Sequence, residues 1–147
     1  ALGVGTTKGV DADVADTVTD ENIESSVNFA KNFAKKTGAI IAITGAIDIV
    51  ADSEKAFVIQ NGHPMMNEVT GTGCMLSAMV TAFIIANPKD VIGAVASAVC
   101  AMGLCGELAQ KRLSKVEGNS TYRNYIIDEI YHLTSEQLES GAKYEMR

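Results

Sequence analysis

The residues best suited to chemistry are Gly71, Thr72, Gly73 and Cys74, which stand directly before an apolar stretch with helical spacing. Two glycines one residue apart let successive backbone N–H groups point at one spot, and a helix start adds N–H groups without acceptors and a partial positive charge. We therefore predict an anion site built from main-chain amides. The alternative is a tight turn into the helix, since the spacing matches neither the dinucleotide fingerprint nor the P-loop.

Cys74 falls in the first turn of that predicted helix, where the helix dipole and the amides favour a negatively charged sulfur. An exposed cysteine there accepts a proton or attacks an electrophile, whereas the alternative is a small buried hydrophobic residue. Cys100 and Cys105 lie five residues apart and have no Cys or His at metal-ligand spacing, so we assign no metal site to them.

Composition limits the possible partners of these residues. The chain has 147 residues, 47% of them hydrophobic, which is enough for one domain with a core. Lys and Arg number 12 against 18 Asp and Glu, a net charge of −6, so we expect no nucleic-acid partner and no anionic lipid surface. A phosphate group must then be held by amides or by a metal ion.

The same reading places the protein in the cytoplasm. The N-terminus lacks the basic region and the long apolar run of a signal peptide, and three free cysteines suit a reducing compartment. Residues 91–106 form an uncharged stretch that is too short and too rich in Gly and Ala to span a membrane, so we predict a core helix and no membrane partner. Because the chain begins at Ala1 as if inside an element, we expect it to be cut from a longer one.

The elements that must position the glycines form a mixed pattern. Residues 1–19 are predicted as loop, and an amphipathic helix is predicted over 20–37, with a cap at Thr19-Asp20 and an end at Gly38. The continuous apolar run 39–44 predicts a strand buried on both faces, as in a parallel sheet. Residues 48–52 and 55–60 predict two further strands joined by a hairpin turn at 52–54.

Three helices follow, predicted over residues 75–86, 89–115 and 121–132. Asn87-Pro88 ends the first, and Asn119-Ser120 is expected to cap the third. The tail from Thr134 onward is polar, and we expect short turns or a frayed end. The order of helix, strand, hairpin, loop and three helices predicts the α/β class with a sheet edge of mixed direction.

A resemblance to a known family is carried by the run Gly62-His63-Pro64-Met65-Met66-Asn67-Glu68-Val69-Thr70-Gly71-Thr72-Gly73-Cys74. Further matches in order and spacing are Lys8-Gly9-Val10-Asp11, Ile43-Thr44-Gly45, Asp48-Ile49-Val50-Ala51-Asp52 and Gly118-Asn119-Ser120. On these residues the chain resembles the hydroxyethylthiazole kinases, the thiamin-salvage members of the ribokinase-like superfamily. The resemblance covers essentially the whole chain but only the C-terminal half of the family's chain.

The resemblance implies a ribokinase-like three-layer α/β/α fold. Residues 1–147 would be the C-terminal part of a single kinase domain whose N-terminal half is absent, with parallel strands, a β-hairpin and three C-terminal helices. It also implies phosphorylation of the hydroxyl of 4-methyl-5-(2-hydroxyethyl)thiazole, with ATP as co-substrate and Mg²⁺ as cofactor, by a homotrimer that shares the thiazole pocket between subunits. The alternatives are another ribokinase-like kinase of a small alcohol, or a non-catalytic assembly module.

Roles for single residues come from the same resemblance. Related kinases end the loop in Gly-x-Gly-Asp, whose Asp is the catalytic base, and Cys74 stands at that position. The amides of Gly71, Thr72, Gly73 and Cys74 would form the anion hole, and Gly71 would also lie against the thiazole. Thr44 would touch the ATP phosphates, although it could instead bond its own turn.

The resemblance leaves the metal site open. Glu68 falls where many relatives carry an Asp near the cation, but a solvated loop residue is the alternative, so the metal ligands are unknown. The Asn-x-x-Glu motif that governs magnesium in the superfamily should lie upstream of residue 1. We interpret His63, before Pro64, as a structural turn residue.

Overall fold

Four antiparallel strands form the sheet of the protein, in a computed structural model that describes residues 18–147. The strands lie side by side in sequence order: β1 (Ile41–Ile43), β2 (Asp48–Ala51), β3 (Ala56–Ile59) and β4 (Tyr144–Met146). Most of the predicted N-terminal loop, with Lys8 and Asp11, lies outside the described residues.

The prediction of parallel strands is wrong. β1 pairs antiparallel with β2, with Ile41 opposite Ala51. Only residues 44–47 separate the two strands, whereas a parallel pair needs a crossover of about a dozen residues or more. The apolar run 39–44 therefore forms a half-buried hairpin strand, a case that hydrophobicity alone does not distinguish from a buried parallel strand. The hairpin between β2 and β3 is confirmed.

Helix α1 (Ile23–Thr37) covers one face of the sheet. Its buried residues Ile23, Val27 and Ala30 pack in one cluster with Ile49 and Val58 of the sheet. The helix ends at Gly38 as predicted, because Gly38 takes the left-handed conformation at φ 70°. It begins three residues later than predicted, at Ile23 rather than at residue 20.

Helix α3 (Val91–Arg112) covers the opposite face, which makes three layers, α/β/α, as the resemblance implied. Val95 and Val99 pack with Val50 and Ile59. This helix is long and apolar enough to cross a membrane, but 72% of its most apolar window is buried inside the protein, so the prediction of a core helix is confirmed. Helices α2 (Thr72–Ala86) and α4 (Asn119–His132) pack against α3.

The tail is more ordered than predicted. A short helix α5 (Ser135–Gly141) begins at a capping box in which Thr134 and Gln137 exchange backbone and side-chain hydrogen bonds. Strand β4 then joins the sheet beside β3. The three C-terminal helices are confirmed as α2, α3 and α4, but the expectation of a frayed end is wrong because β3 offers an edge for pairing.

Candidate functional site

The candidate site lies at one end of the sheet. Strands β1 and β3 run in the same direction and end there, and β2 begins there, since Ile43 lies opposite Ile49 and Asp48 opposite Ile59. Thr44 follows β1 directly. This end of the sheet therefore carries the carboxyl ends of β1 and β3 and the amino end of β2.

Helix packing brings the residues 71–74, which we call the glycine loop, to the same end. Helices α2 and α3 are joined by a short connection and pack against each other, so the start of α2 lies near the second half of α3. Met75 accordingly packs in one cluster with Met102 and Ala109. Gly103 of α3 lies against Asn61, which follows β3, because a Cβ on Gly103 would be 2.7 Å from the Asn61 backbone carbon. The structure thus places Thr44 and the glycine loop at one end of the molecule.

The glycine loop has the geometry of a helix start facing open space. Gly71 is the N-cap of α2 with φ 101°, a backbone conformation that requires glycine, and its carbonyl accepts the Met75 N–H at 3.0 Å. The N–H groups of the residues that open a helix have no acceptor within it. A Cβ added at Gly71 or Gly73 would meet nothing within 4 Å, and Gly73 and Cys74 are exposed, so this part of the loop faces solvent. Val69, which is buried, anchors the loop from behind.

Cys74 is exposed, so the alternative of a buried hydrophobic residue is wrong for this cysteine. The other two cysteines are buried in α3. Burial raises the pKa of Cys100 to about 11 and that of Cys105 to about 12, and the charges of Asp48 and Glu129 add to these two shifts. Both therefore remain neutral thiols, and Cys74 is the cysteine that the protein presents to solvent.

Thr44 is exposed in the hairpin loop 44–47, and a different residue closes that loop. Asp48 accepts the N–H of Gly45 on its Oδ1 at 2.8 Å. Burial raises the pKa of Asp48 to about 6, although the hydrogen bond from Gly45 lowers it. The sequence analysis gave Asp48 no role in the site. The spacing of three residues between Gly45 and Asp48 could have indicated it, because an aspartate at such a spacing can accept a backbone N–H of a turn.

Two polar side chains, those of His63 and Asn119, make structural hydrogen bonds to the 3-10 helix Pro64–Glu68. His63 accepts the Met65 N–H on its Nδ1 at 3.2 Å, which confirms a turn role. The expectation that Asn119-Ser120 caps α4 is wrong, because the N-cap is Gly118 and makes no side-chain cap bond. Asn119 instead donates from Nδ2 to the Glu68 carbonyl at 2.9 Å and so ties α4 to the segment before the glycine loop.

Asn61, just after β3, forms hydrogen bonds with α3 and with the C-terminal segment, and the sequence analysis gave it no role. It is the one buried polar side chain in the described part of the chain. Its Nδ2 donates to Glu107 at 3.1 Å and to the Gly141 carbonyl at 2.9 Å, and its Oδ1 accepts the Lys143 N–H at 2.8 Å. Burial would raise the pKa of Glu107, but hydrogen bonds from Lys143, Gly62 and Asn61 lower it. The C-terminal segment is thereby fastened to the end of β3.

No cluster of metal-binding side chains coincides with these residues. Within residues 18–147, no three His, Cys, Asp or Glu side chains are close enough to hold a metal ion. Two surface cavities, of about 190 and 310 Å³, are lined by residues around Gly38 and around Pro88.

Fold and site define a class: an α/β protein in which a glycine-containing helix start lies at the same end of the sheet as the residue that follows β1. Residues 3–136 match the model of the hydroxyethylthiazole kinase family, and the chain belongs to that family.

Individual relatives agree with this assignment. A hydroxyethylthiazole kinase from Clostridium acetobutylicum is 60% identical over 145 residues, which are 99% of this chain and 53% of the relative. One from Clostridium beijerinckii is 44% identical over 142 residues, or 96% of this chain and 50% of the relative. The structure of a hydroxyethylthiazole kinase protein from Pyrococcus horikoshii matches with a TM-score of 0.76 and 27% identity, over 86% of this chain and 48% of that one. The chain thus spans about half the length of these relatives.

Proposed function

We propose that this chain forms the C-terminal part of a single ribokinase-like kinase domain that transfers the γ-phosphoryl group of ATP to the hydroxyl of 4-methyl-5-(2-hydroxyethyl)thiazole. The observation that carries the proposal is the exposed glycine loop at the start of α2, at the same end of the sheet as Thr44. The 60% identity to a hydroxyethylthiazole kinase supports the choice of substrate.

The glycine loop provides the anion hole in this proposal. Phosphoryl transfer is catalysed mainly by positioning and by stabilising charge on the transferred group. The amides of Gly71, Thr72, Gly73 and Cys74 donate to the phosphoryl oxygens without any cation from the chain, which suits a net charge of −6. Gly71 also lies against the thiazole, and the Thr44 hydroxyl binds the ATP phosphates.

Cys74 is the proposed base. Its exposed sulfur sits in the first turn of α2, beside the amides that would hold the phosphoryl group. It takes the proton of the thiazole alcohol or orients the hydroxyl for attack. A thiolate is a weak base toward an alcohol, but the loose transition state of phosphoryl transfer requires little proton removal.

Mg²⁺ is the proposed cofactor, and the described residues do not form a site that fits it alone. Bound to the ATP phosphates, Mg²⁺ would neutralise part of their charge. We further propose a cytoplasmic homotrimer that has neither nucleic acid nor membrane as a partner.

The proposal is tested with a chimeric kinase, in which the N-terminal half of the Clostridium acetobutylicum relative is joined ahead of this chain. We expect ADP production with the thiazole alcohol as acceptor and little with ribose. Preference for ribose would indicate another small-alcohol kinase. A folded chimera that turns over neither acceptor would contradict the kinase assignment and favour an assembly module.

A further inference from the structure

Asp48 is an unusual carboxylate because it is charged, half-buried and placed at a turn. It starts β2 and lies opposite Ile59, and it is on the same face of the strand as Val50, which packs in the cluster under α3. Burying a carboxylate costs free energy unless the charged form gains a hydrogen-bonding or ionic partner.

The partner that the structure gives Asp48 is the backbone of the Thr44 turn. Its Oδ1 accepts the Gly45 N–H at 2.8 Å, across the loop that joins β1 to β2. A hydrogen bond to a carboxylate is roughly twice as strong as one between neutral groups. This bond fixes the residue that directly follows Thr44, and Thr44 itself is exposed.

The same residue type closes a turn at the other end of β2, and it is likewise neither fully buried nor fully exposed. Asp52 accepts from the N–H groups of Glu54 and Lys55 on Oδ1, both at 2.8 Å. That turn lies at the opposite end of the sheet from Thr44 and the glycine loop. Asp52 is therefore a matched structural control for Asp48.

We infer that Asp48 is a positioning residue of the phosphate site, whose half-buried carboxylate fixes the hairpin loop that presents Thr44 to ATP. The inference rests on the proposed function and extends it to a residue for which the family resemblance gave no role. Asp48 acts through Thr44 and Gly45 rather than on the reacting atoms, so it governs ATP binding more than the chemical step.

Kinetics of the chimeric kinase test the inference. Loss of a charge-assisted hydrogen bond predicts that Asp48→Ala raises KM for ATP about tenfold and changes kcat less than about threefold. Asp48→Asn keeps an acceptor for Gly45 and should limit the rise to about threefold. Asp52→Ala should leave KM for ATP unchanged. An equal rise in Asp52→Ala, or an unchanged KM in Asp48→Ala, overturns the inference.

Amide hydrogen exchange of this chain gives a readout that does not depend on activity. The Gly45 N–H should exchange faster in Asp48→Ala and keep its protection in Asp52→Ala. Unchanged exchange in Asp48→Ala means that Asp48 does not hold the turn, and overturns the inference. If the unsubstituted chimera is folded but inactive, the proposed function fails, and the inference fails with it. Protection of the Gly45 N–H in that chimera would still show that Asp48 holds the turn.

Discussion

Each end of β2 has a partly exposed aspartate that accepts backbone hydrogen bonds from a turn, but the pKa values of the two aspartates shift in opposite directions. At one end Asp48 accepts one backbone N–H, and burial raises its pKa to about 6. At the other end Asp52 accepts two backbone N–H groups, and although burial would raise its pKa, these bonds lower it. We call these the site end, with Thr44, Asp48 and the glycine loop, and the turn end, with residues 52–55.

The difference teaches that a hydrogen bond does not by itself identify a functional residue. Asp52 is stabilised in its charged form, as expected for a residue that only shapes a hairpin. Asp48 is held in an environment that disfavours its charge, and such perturbed groups cluster at functional sites. The carboxylate at the site end costs stability, whereas the one at the turn end contributes it.

The largest expected effect concerns the reactive group of the site end. Cys74→Ala in the chimeric kinase should lower kcat about 100-fold, the low end for loss of a proton acceptor because the transition state requires little proton removal, while KM for both substrates changes little. Cys74→Asp should match or exceed the unsubstituted rate. Ser53→Ala, an exposed change at the turn end, is the control in steady-state assays. A Cys74→Ala enzyme with normal turnover would exclude Cys74 as the base.

The next effect concerns the hydrogen bonds of Asn61, just after β3. Asn61→Asp keeps the side-chain shape but puts an oxygen where Nδ2 donates to Glu107 and the Gly141 carbonyl. Burying that unpaired charge should lower the free energy of unfolding by about 3 kcal/mol at pH 7.5. Urea unfolding measures this, with the exposed Asn124→Asp as control. Equal stability of the two variants would contradict a stabilising role for the Asn61 hydrogen bonds.

Asp48→Asn is expected to change the free energy of unfolding by less than Asn61→Asp does, and to raise it rather than lower it. The folded pKa of Asp48 is raised from 3.8 to about 6, so the folded state binds the proton more tightly, and stability falls as pH rises through this window. A shift of about two pKa units corresponds to at most about 3 kcal/mol at neutral pH. Asp48→Asn should therefore stabilise the chain by about 1 to 3 kcal/mol at pH 7.5 and have little effect near pH 3. Destabilisation at pH 7.5 would contradict this.

The smallest effect is expected at the turn end. Because hydrogen bonds lower the pKa of Asp52, its charge contributes stability above the unfolded pKa, and this contribution is lost as pH falls through the folded pKa. Asp52→Asn should cost about 0.5 to 1 kcal/mol at pH 7.5, the net value of a partly exposed hydrogen bond. Urea unfolding of the two Asn variants at pH 7.5 should thus give opposite signs. If both variants changed the free energy of unfolding in the same direction, the proposed difference between Asp48 and Asp52 would be wrong.

The sequence alone was enough to predict the elements that depend on a few neighbouring residues. The apolar spacing and Gly38 set most of α1 and its end, Asn87-Pro88 separated α2 from α3, and the two glycines marked a helix start. Residue type and spacing also carried the family resemblance, which the match over residues 3–136 confirms. These features need only a few neighbouring residues, so periodicity, helix ends and motifs suffice to find them.

Features that depend on contacts between distant segments could be seen only in the folded chain. The direction of β1 followed from its pairing with β2, and the order of the tail followed from the free edge of β3. The burial of Asp48 and Asn61 depends on α3 lying over their ends of the strands, and no local pattern encodes that contact. Desolvation and pairing are set by distant parts of the chain, so the chemical character of these two polar residues became visible only in the folded protein.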